Sequence, residues 1–167
     1  MTDRYYSFEF FPPKTAEGAE KLRNTRAQLA PLQPKYISVT FGAGGTTQQG
    51  TLDAVLEIQR DGIEAAPHLS CVGSSRESIR DILKTYRDGG IRHIVALRGD
   101  MPSGMGEIGE FRYANELVEF IRAETGDWFN IEVAAYPEYH PQARSPRHDR
   151  ENFVRKVKAG ATPAITQ

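Results

Sequence analysis

The chain alternates short, almost continuously apolar runs with longer amphipathic ones, and that alternation restricts it to parallel α/β architectures. The apolar runs are Tyr5–Phe11, Tyr36–Phe41, Ile63–Ser70, His93–Leu97 and Ile131–Tyr136. Strands covered on both faces of a parallel sheet have this character. Between them, Ile79, Ile82, Leu83 and Tyr86 fall at i, i+3, i+4 and i+7, and Ala114, Leu117, Val118 and Ile121 repeat the spacing. Each set predicts a helix with one buried stripe. Ser74 with Glu77 forms a capping-box pattern before the first of these helices. Gly89-Gly90 marks its end, and Ser145-Pro146 reads as an N-cap followed by proline at the first helical position of a later one.

Five β–α units are therefore expected, and Ala164-Ile165-Thr166-Gln167 reads as the start of a sixth strand. Eight such units need about 250 residues to close a (β/α)8 barrel. The 167 residues leave two readings. One is an open five-stranded sheet, complete at this length. The other is the first part of a (β/α)8 TIM barrel, a single partial domain over residues 1–167 with an exposed strand edge. Length favours the open sheet, and the placement of polar residues favours the barrel.

Each strand ends on a chemically capable group. These are Glu9, then Thr40 ahead of Gly42-Ala43-Gly44-Gly45, then His68, then Arg98-Gly99-Asp100. The fifth strand leads to Tyr136, Glu138 and His140, and the sixth to Gln167. Barrel enzymes collect catalytic groups from several strands at this C-terminal rim, whereas an open sheet gathers its ligand at one switch point.

Glu9 stands among Phe8, Phe10 and Phe11. Desolvation there would raise its pKa and make it a proton donor; the alternative is an ion pair with a cation such as Arg98. Asp100, between Gly99 and Met101-Pro102, is either a turn former or a chemical group. His68 is either a satisfied core histidine or a ligand. His68 and Cys71 form an H-x-x-C pair with no second close pair elsewhere, so no metal site is expected. Gly104-Met105-Gly106-Glu107-Ile108-Gly109 matches G-x-G-x-x-G but starts too far from the strand end for a dinucleotide fingerprint, and it reads as a flexible loop. Asp149, Asn152, Arg155 and Lys156 mark a polar helix face, either solvated or anion-binding.

A formal net charge of −1 leaves no basic excess for nucleic acid or a membrane surface. No apolar run approaches the roughly 20 residues of a membrane span. The single cysteine, Cys71, has no internal disulfide partner, and a cytoplasmic protein is expected.

Six segments together resemble the methylenetetrahydrofolate reductases of the bacterial catalytic-domain type. They are Ser7–Lys14, Ser38–Ala43, Ala66–Leu69, His93–Asp100, Ala134–Glu138 with His140-Pro141, and Ala164–Gln167, in the family's order along the whole chain. The resemblance implies a (β/α)8 barrel with non-covalent FAD. It implies reduction of 5,10-methylenetetrahydrofolate to 5-methyltetrahydrofolate by NADH or NADPH, with ping-pong hydride transfer through the flavin, in one-carbon and methionine metabolism. It casts Glu9 as the general acid that opens the folate's five-membered ring, and Asp100 as an aspartate between flavin and pterin. Gln167 becomes a contact of folate and nicotinamide. Thr40, His68, Leu97, Arg98, Gly99, Asp100, Tyr113 and Ala114 join Tyr136, His140, Asp149, Asn152, Arg155 and Lys156 in the implied flavin-contacting set. A homo-oligomer is implied for the full-length protein. The chain departs from the family in a short lead into the first strand and an uncharged second loop. It also lacks the last strands, so the 167 residues alone are expected to be unstable and inactive. The rival readings are a non-catalytic folate- or flavin-binding module and a metal-dependent barrel hydrolase.

Overall fold

A computed structural model describes residues 5–41, 45–100 and 109–166. The strands are β1 (Phe8–Phe10), β2 (Ile37–Val39), β3 (Ala65–Ser70), β4 (His93–Leu97), β5 (Asn130–Ala135) and β6 (Ala164–Thr166). The helices are α1 (Ala16–Leu29), α2 (Gly45–Arg60), α3 (Arg76–Asp88), α4 (Ala114–Thr125) and α5 (Pro146–Lys158). The Gly104–Ile108 part of the glycine-rich loop, Gly42–Gly44 and Gln167 lie outside the described residues. Among the described residues no helix is long and apolar enough to cross a membrane.

The chain forms two compact units, residues 1–68 with 86–92, and residues 69–85 with 93–167. In the first, β1 pairs parallel with β2 and β2 with β3, with Glu9 opposite Ser38 and Val39 opposite Pro67. Ile37, Val39, Val55, Ile58 and Ala65 are almost wholly buried. Thr15 starts α1 by accepting a hydrogen bond from the Gly18 N–H at 3.0 Å. The buried Arg26 of α1 is ion-paired to Glu57, at 3.0 Å, and to Asp61 beside α2. That pairing lets a guanidinium sit 5% exposed without being left uncompensated.

In the second unit, β4 pairs parallel with β5 and β5 with β6. The start of the 71–75 loop extends this pattern, because the Cys71 and Val72 N–H groups donate to the Leu97 and Arg98 carbonyls at 3.2 and 2.9 Å. Leu117, Val118 and Ile121 of α4 are buried, as are Ile131 and Val133 of β5, so the expected helix stripe is the one that packs. A buried His93–Glu132 pair, 3.2 Å apart, sits at the start of β4 and β5.

Within each unit every paired strand is a neighbour in sequence. An open doubly-wound sheet reverses its order at a switch point, and among the described residues none occurs in either unit. A sixth strand also pairs with β5, which a complete five-stranded sheet does not contain. The fold class is therefore α/β of the (β/α)8 barrel family, present here as its first six strands.

Local signals moved in two places. The cap of α3 is Ser75, not Ser74. Ser75 Oγ accepts from the Ser78 N–H at 3.1 Å, and Ser78 Oγ accepts from the Ser75 N–H at 3.1 Å. Ser74 is engaged elsewhere, its carbonyl accepting from the Glu110 N–H at 3.0 Å. The first strand begins at Phe8 rather than Tyr5. Gly90 ends α3 with φ +78°, and Ser145 caps α5 by accepting from the His148 N–H at 3.2 Å, both as the sequence indicates.

Candidate functional site

In the first unit β1 carries Glu9, Thr40 directly follows β2, and β3 carries His68. Residues 8 and 10 of a strand project to the face opposite residue 9. The aromatic neighbours Phe8 and Phe10 therefore do not bury the Glu9 carboxylate, and the Glu9 side chain is 54% exposed. This corrects the expectation of a desolvated glutamate. Its partner is also different from the one considered, because His68 Nε2 lies 3.3 Å from Glu9 Oε2. His68 sits in β3, where every residue is buried, so it is a core histidine that also reaches an active-site candidate. Thr40 is held by its backbone, its N–H donating to the Phe10 carbonyl at 2.9 Å. Its carbonyl accepts from the hydroxyl of the buried Thr51 at 2.9 Å. Thr51, on α2, carries no motif, and only burial distinguishes it.

In the second unit a cavity of about 430 Å³ opens at the ends of β4 and β5. Leu97, Arg98, Gly99 and Asp100 line it from the end of β4, and Tyr113 and Ala114 from the start of α4. Tyr136 and His140 line it after β5, and Asp149, Asn152 and Lys156 from α5. The expected flavin-contacting residues converge here except for Thr40 and His68, which belong to the first unit, and Arg155. Arg155 lines a separate cleft between α4 and α5 together with Arg122 and Lys158.

Gly99 has φ +84°, and a Cβ there would overlap Ser70 Oγ and come within 2.9 Å of Val72 Cγ1. Only glycine lets the chain turn this close to β3. Ser70 Oγ in turn donates to the Arg98 carbonyl at 2.9 Å, fixing the same turn. The Asp100 side chain is 97% exposed and lies 4.0 Å from Arg98 Nη2. Arg98 Nη2 instead donates to Gln142 Oε1 at 2.6 Å, a partner that no strand-end argument reveals.

Glu116 turns back at the head of α4 to accept from the Arg112 N–H at 2.6 Å and the Tyr113 N–H at 3.4 Å. This places Tyr113 and Ala114 at the lip of the cavity. The Tyr136 and His140 rings meet edge to face, with centroids 4.7 Å apart. Burial, with the nearby negative charges of Asp100 and Asp149, raises the Tyr136 phenol above its ordinary pKa, so it stays protonated. Asp149 Oδ2 accepts from the His140 N–H at 3.1 Å. Lys156 Nζ donates to the Ala134 carbonyl at 2.5 Å, and burial pulls its pKa below the usual lysine range.

Cys71 is fully buried, and burial pushes its thiol up to about 12. It is neither a thiolate nucleophile nor a ready metal ligand. Among the described residues no group of three or more His, Cys, Asp or Glu could hold a metal ion.

The donor set suits a ligand that is both anionic and aromatic. Arg98 and Lys156 offer cations, Asn152 an amide, and Tyr136 with His140 an aromatic wall, while Gly99 permits close approach of the backbone. A flavin nucleotide has these parts.

The methylenetetrahydrofolate reductase family model matches residues 1–167. The 5,10-methylenetetrahydrofolate reductase of Salmonella typhimurium is 49% identical over 162 residues, covering 96% of this chain and 53% of that one. The Escherichia coli protein of the same name is 48% identical with the same coverage. Methylenetetrahydrofolate reductase (NADH) 1 of Zea mays is 39% identical over 176 residues, covering 97% of this chain and 30% of its own length. The chain thus spans about half the length of the bacterial relatives. Among solved structures, Yersinia pestis DHPS with a pterine–sulfa conjugate matches with TM-score 0.51 and 12% identity. That match covers 97% of this chain and 58% of the other, and it is a likeness of fold alone. With a family model matched from the first residue to the last and bacterial relatives near half identical, this chain belongs to the methylenetetrahydrofolate reductase family.

Proposed function

We propose that the protein reduces 5,10-methylenetetrahydrofolate to 5-methyltetrahydrofolate with non-covalent FAD and NADH or NADPH, as a cytoplasmic homo-oligomer serving one-carbon and methionine metabolism. The observation that carries this reading is the convergence of the expected flavin residues, apart from Thr40, His68 and Arg155, on one cavity. FAD, when bound, supplies the two-electron hydride relay between nicotinamide and folate.

The chain's own residues do the rest. Lys156 and Arg98 provide charge for a phosphate group, and charge-assisted hydrogen bonds of this kind are the strong ones. Asn152 and Asp149 present an amide and a carboxylate to ligand hydroxyls. Tyr136 and His140 supply an apolar edge for a ring system. Asp100, almost fully exposed, remains an open carboxylate that a pterin could meet. Gln167 is proposed as a folate and nicotinamide contact.

Glu9 is proposed as the acid that delivers a proton to a ring nitrogen of the folate, opening the five-membered ring to an iminium that accepts the hydride. His68, 3.3 Å away, orients the carboxyl. Its Nε2 can donate to the carboxylate after the proton has left.

Glu9→Gln in the protein carrying this sequence separates the two half reactions. NAD(P)H–menadione oxidoreduction is expected to survive, while folate reduction falls by about 10²- to 10⁴-fold, the usual worth of a positioned acid. Equal loss in both halves would contradict the assignment.

A further inference from the structure

Gln142 holds two groups of the rim cavity at once. Its side-chain Oε1 accepts from Arg98 Nη2 at 2.6 Å, and its backbone N–H donates to His140 Nδ1 at 3.1 Å. The turn that carries it is itself fixed. The Ala143 N–H donates to the His140 carbonyl at 2.8 Å, and the His140 N–H donates to Asp149 Oδ2 at 3.1 Å. A backbone amide can only donate, so Nδ1 of His140 is the acceptor and the ring proton sits on Nε2.

Two acceptors compete for Arg98. Gln142 is a neutral amide at hydrogen-bond distance, and Asp100 is a carboxylate 4.0 Å away. An arginine held by the amide keeps its full positive charge available to an anion. The Asp100 carboxylate, 97% exposed and 4.0 Å away, takes little of that charge.

We propose that Gln142 is a positioning residue, which through one side chain and one amide sets the Arg98 cation and the His140 Nε2–H donor at the cavity. The proposal rests on the reading of this cavity as the flavin site. Gln142 acts through Arg98 and His140 and needs no contact with the ligand.

The test compares wild type, Gln142→Ala and Gln142→Glu in the protein carrying this sequence. One readout is ¹⁵N NMR of the Arg98 guanidinium, assigned by its loss in Arg98→Lys. The other is FAD affinity, from quenching of flavin fluorescence. Slow rotation of the Arg98 guanidinium is expected in wild type and in Gln142→Glu, which keeps an acceptor oxygen, and fast rotation in Gln142→Ala. The His140 ¹⁵N signals should report Nδ1 as acceptor in all three, because the backbone N–H is retained, and this serves as the control for folding. FAD affinity should fall about five- to tenfold in Gln142→Ala, the worth of a charge-assisted contact reduced for partial exposure. Unchanged guanidinium rotation in Gln142→Ala would overturn the proposal. So would faster rotation with FAD affinity unchanged, since the contact would then be structural only. A folded wild type that binds no FAD would instead overturn the cofactor reading, and the Arg98 signal would still decide the contact.

Discussion

Lys156 carries its ammonium into a largely buried position beside Asp149 and anchors it on the Ala134 carbonyl. Burial lowers its pKa from the ordinary 10.5, so the folded chain releases this proton at lower pH than an unfolded one. Two opposite pH effects follow. In the ligand-free protein, the unfolded state holds more protons between the lowered value and 10.5, so stability rises with pH across that window. An anionic ligand gains from the ammonium, so its affinity falls as pH rises through the lowered value. FAD titrations from pH 7 upward should show affinity declining before 10.5, and Lys156→Met should remove that decline. A decline of equal size in Lys156→Met would assign it to another group. At this scale the sequence was legible in residue type and less so in environment. Glu9 lies in β1 and His68 in β3, two residues short of that strand's end, and Glu9 is exposed because alternation along the strand points Phe8 and Phe10 away from it. The Gln142–Arg98 contact links residues 44 apart through a loop, and no local pattern encodes that.

Arg122 shows how an element is closed by one side chain. Its Nε and Nη2 donate to the Gly160 carbonyl at 3.1 and 2.7 Å, and its Nη1 donates to the Gly126 and Phe129 carbonyls at 3.1 and 2.7 Å. The residue thus caps the end of α4 and ties it to the loops before β5 and β6. Gly160, with φ +114°, makes room for it, since a Cβ there would stand 2.8 Å from Arg122 Nε. Arg122→Ala leaves these carbonyls without the cation and should cost about 2–4 kcal/mol, read as a lower midpoint in urea with unchanged slope. A change under about 0.5 kcal/mol would mean that water replaces the guanidinium at no cost. Element existence was readable because the apolar stripes of α3 and α4 repeat at helical spacing. Element ends were less so: the shift of the α3 cap from Ser74 to Ser75 depends on Ser74 being taken by Glu110, a contact between distant parts of the chain.

For the whole molecule, the βα order and the polar strand ends were sufficient to prefer a barrel over an open sheet, since both are written in period and position. The cavity was not. Its walls come from β4, α4, the loop after β5 and α5, and only folding places these together. The proposed occupant of this cavity is the flavin. Titration of the folded protein with FAD at neutral pH tests that assignment most directly. Saturable binding with one FAD per chain is expected, weakened at least tenfold by Lys156→Met, the loss that follows when a charged hydrogen-bond partner is removed. A folded protein that binds no FAD, or binds it equally well without Lys156, would contradict it.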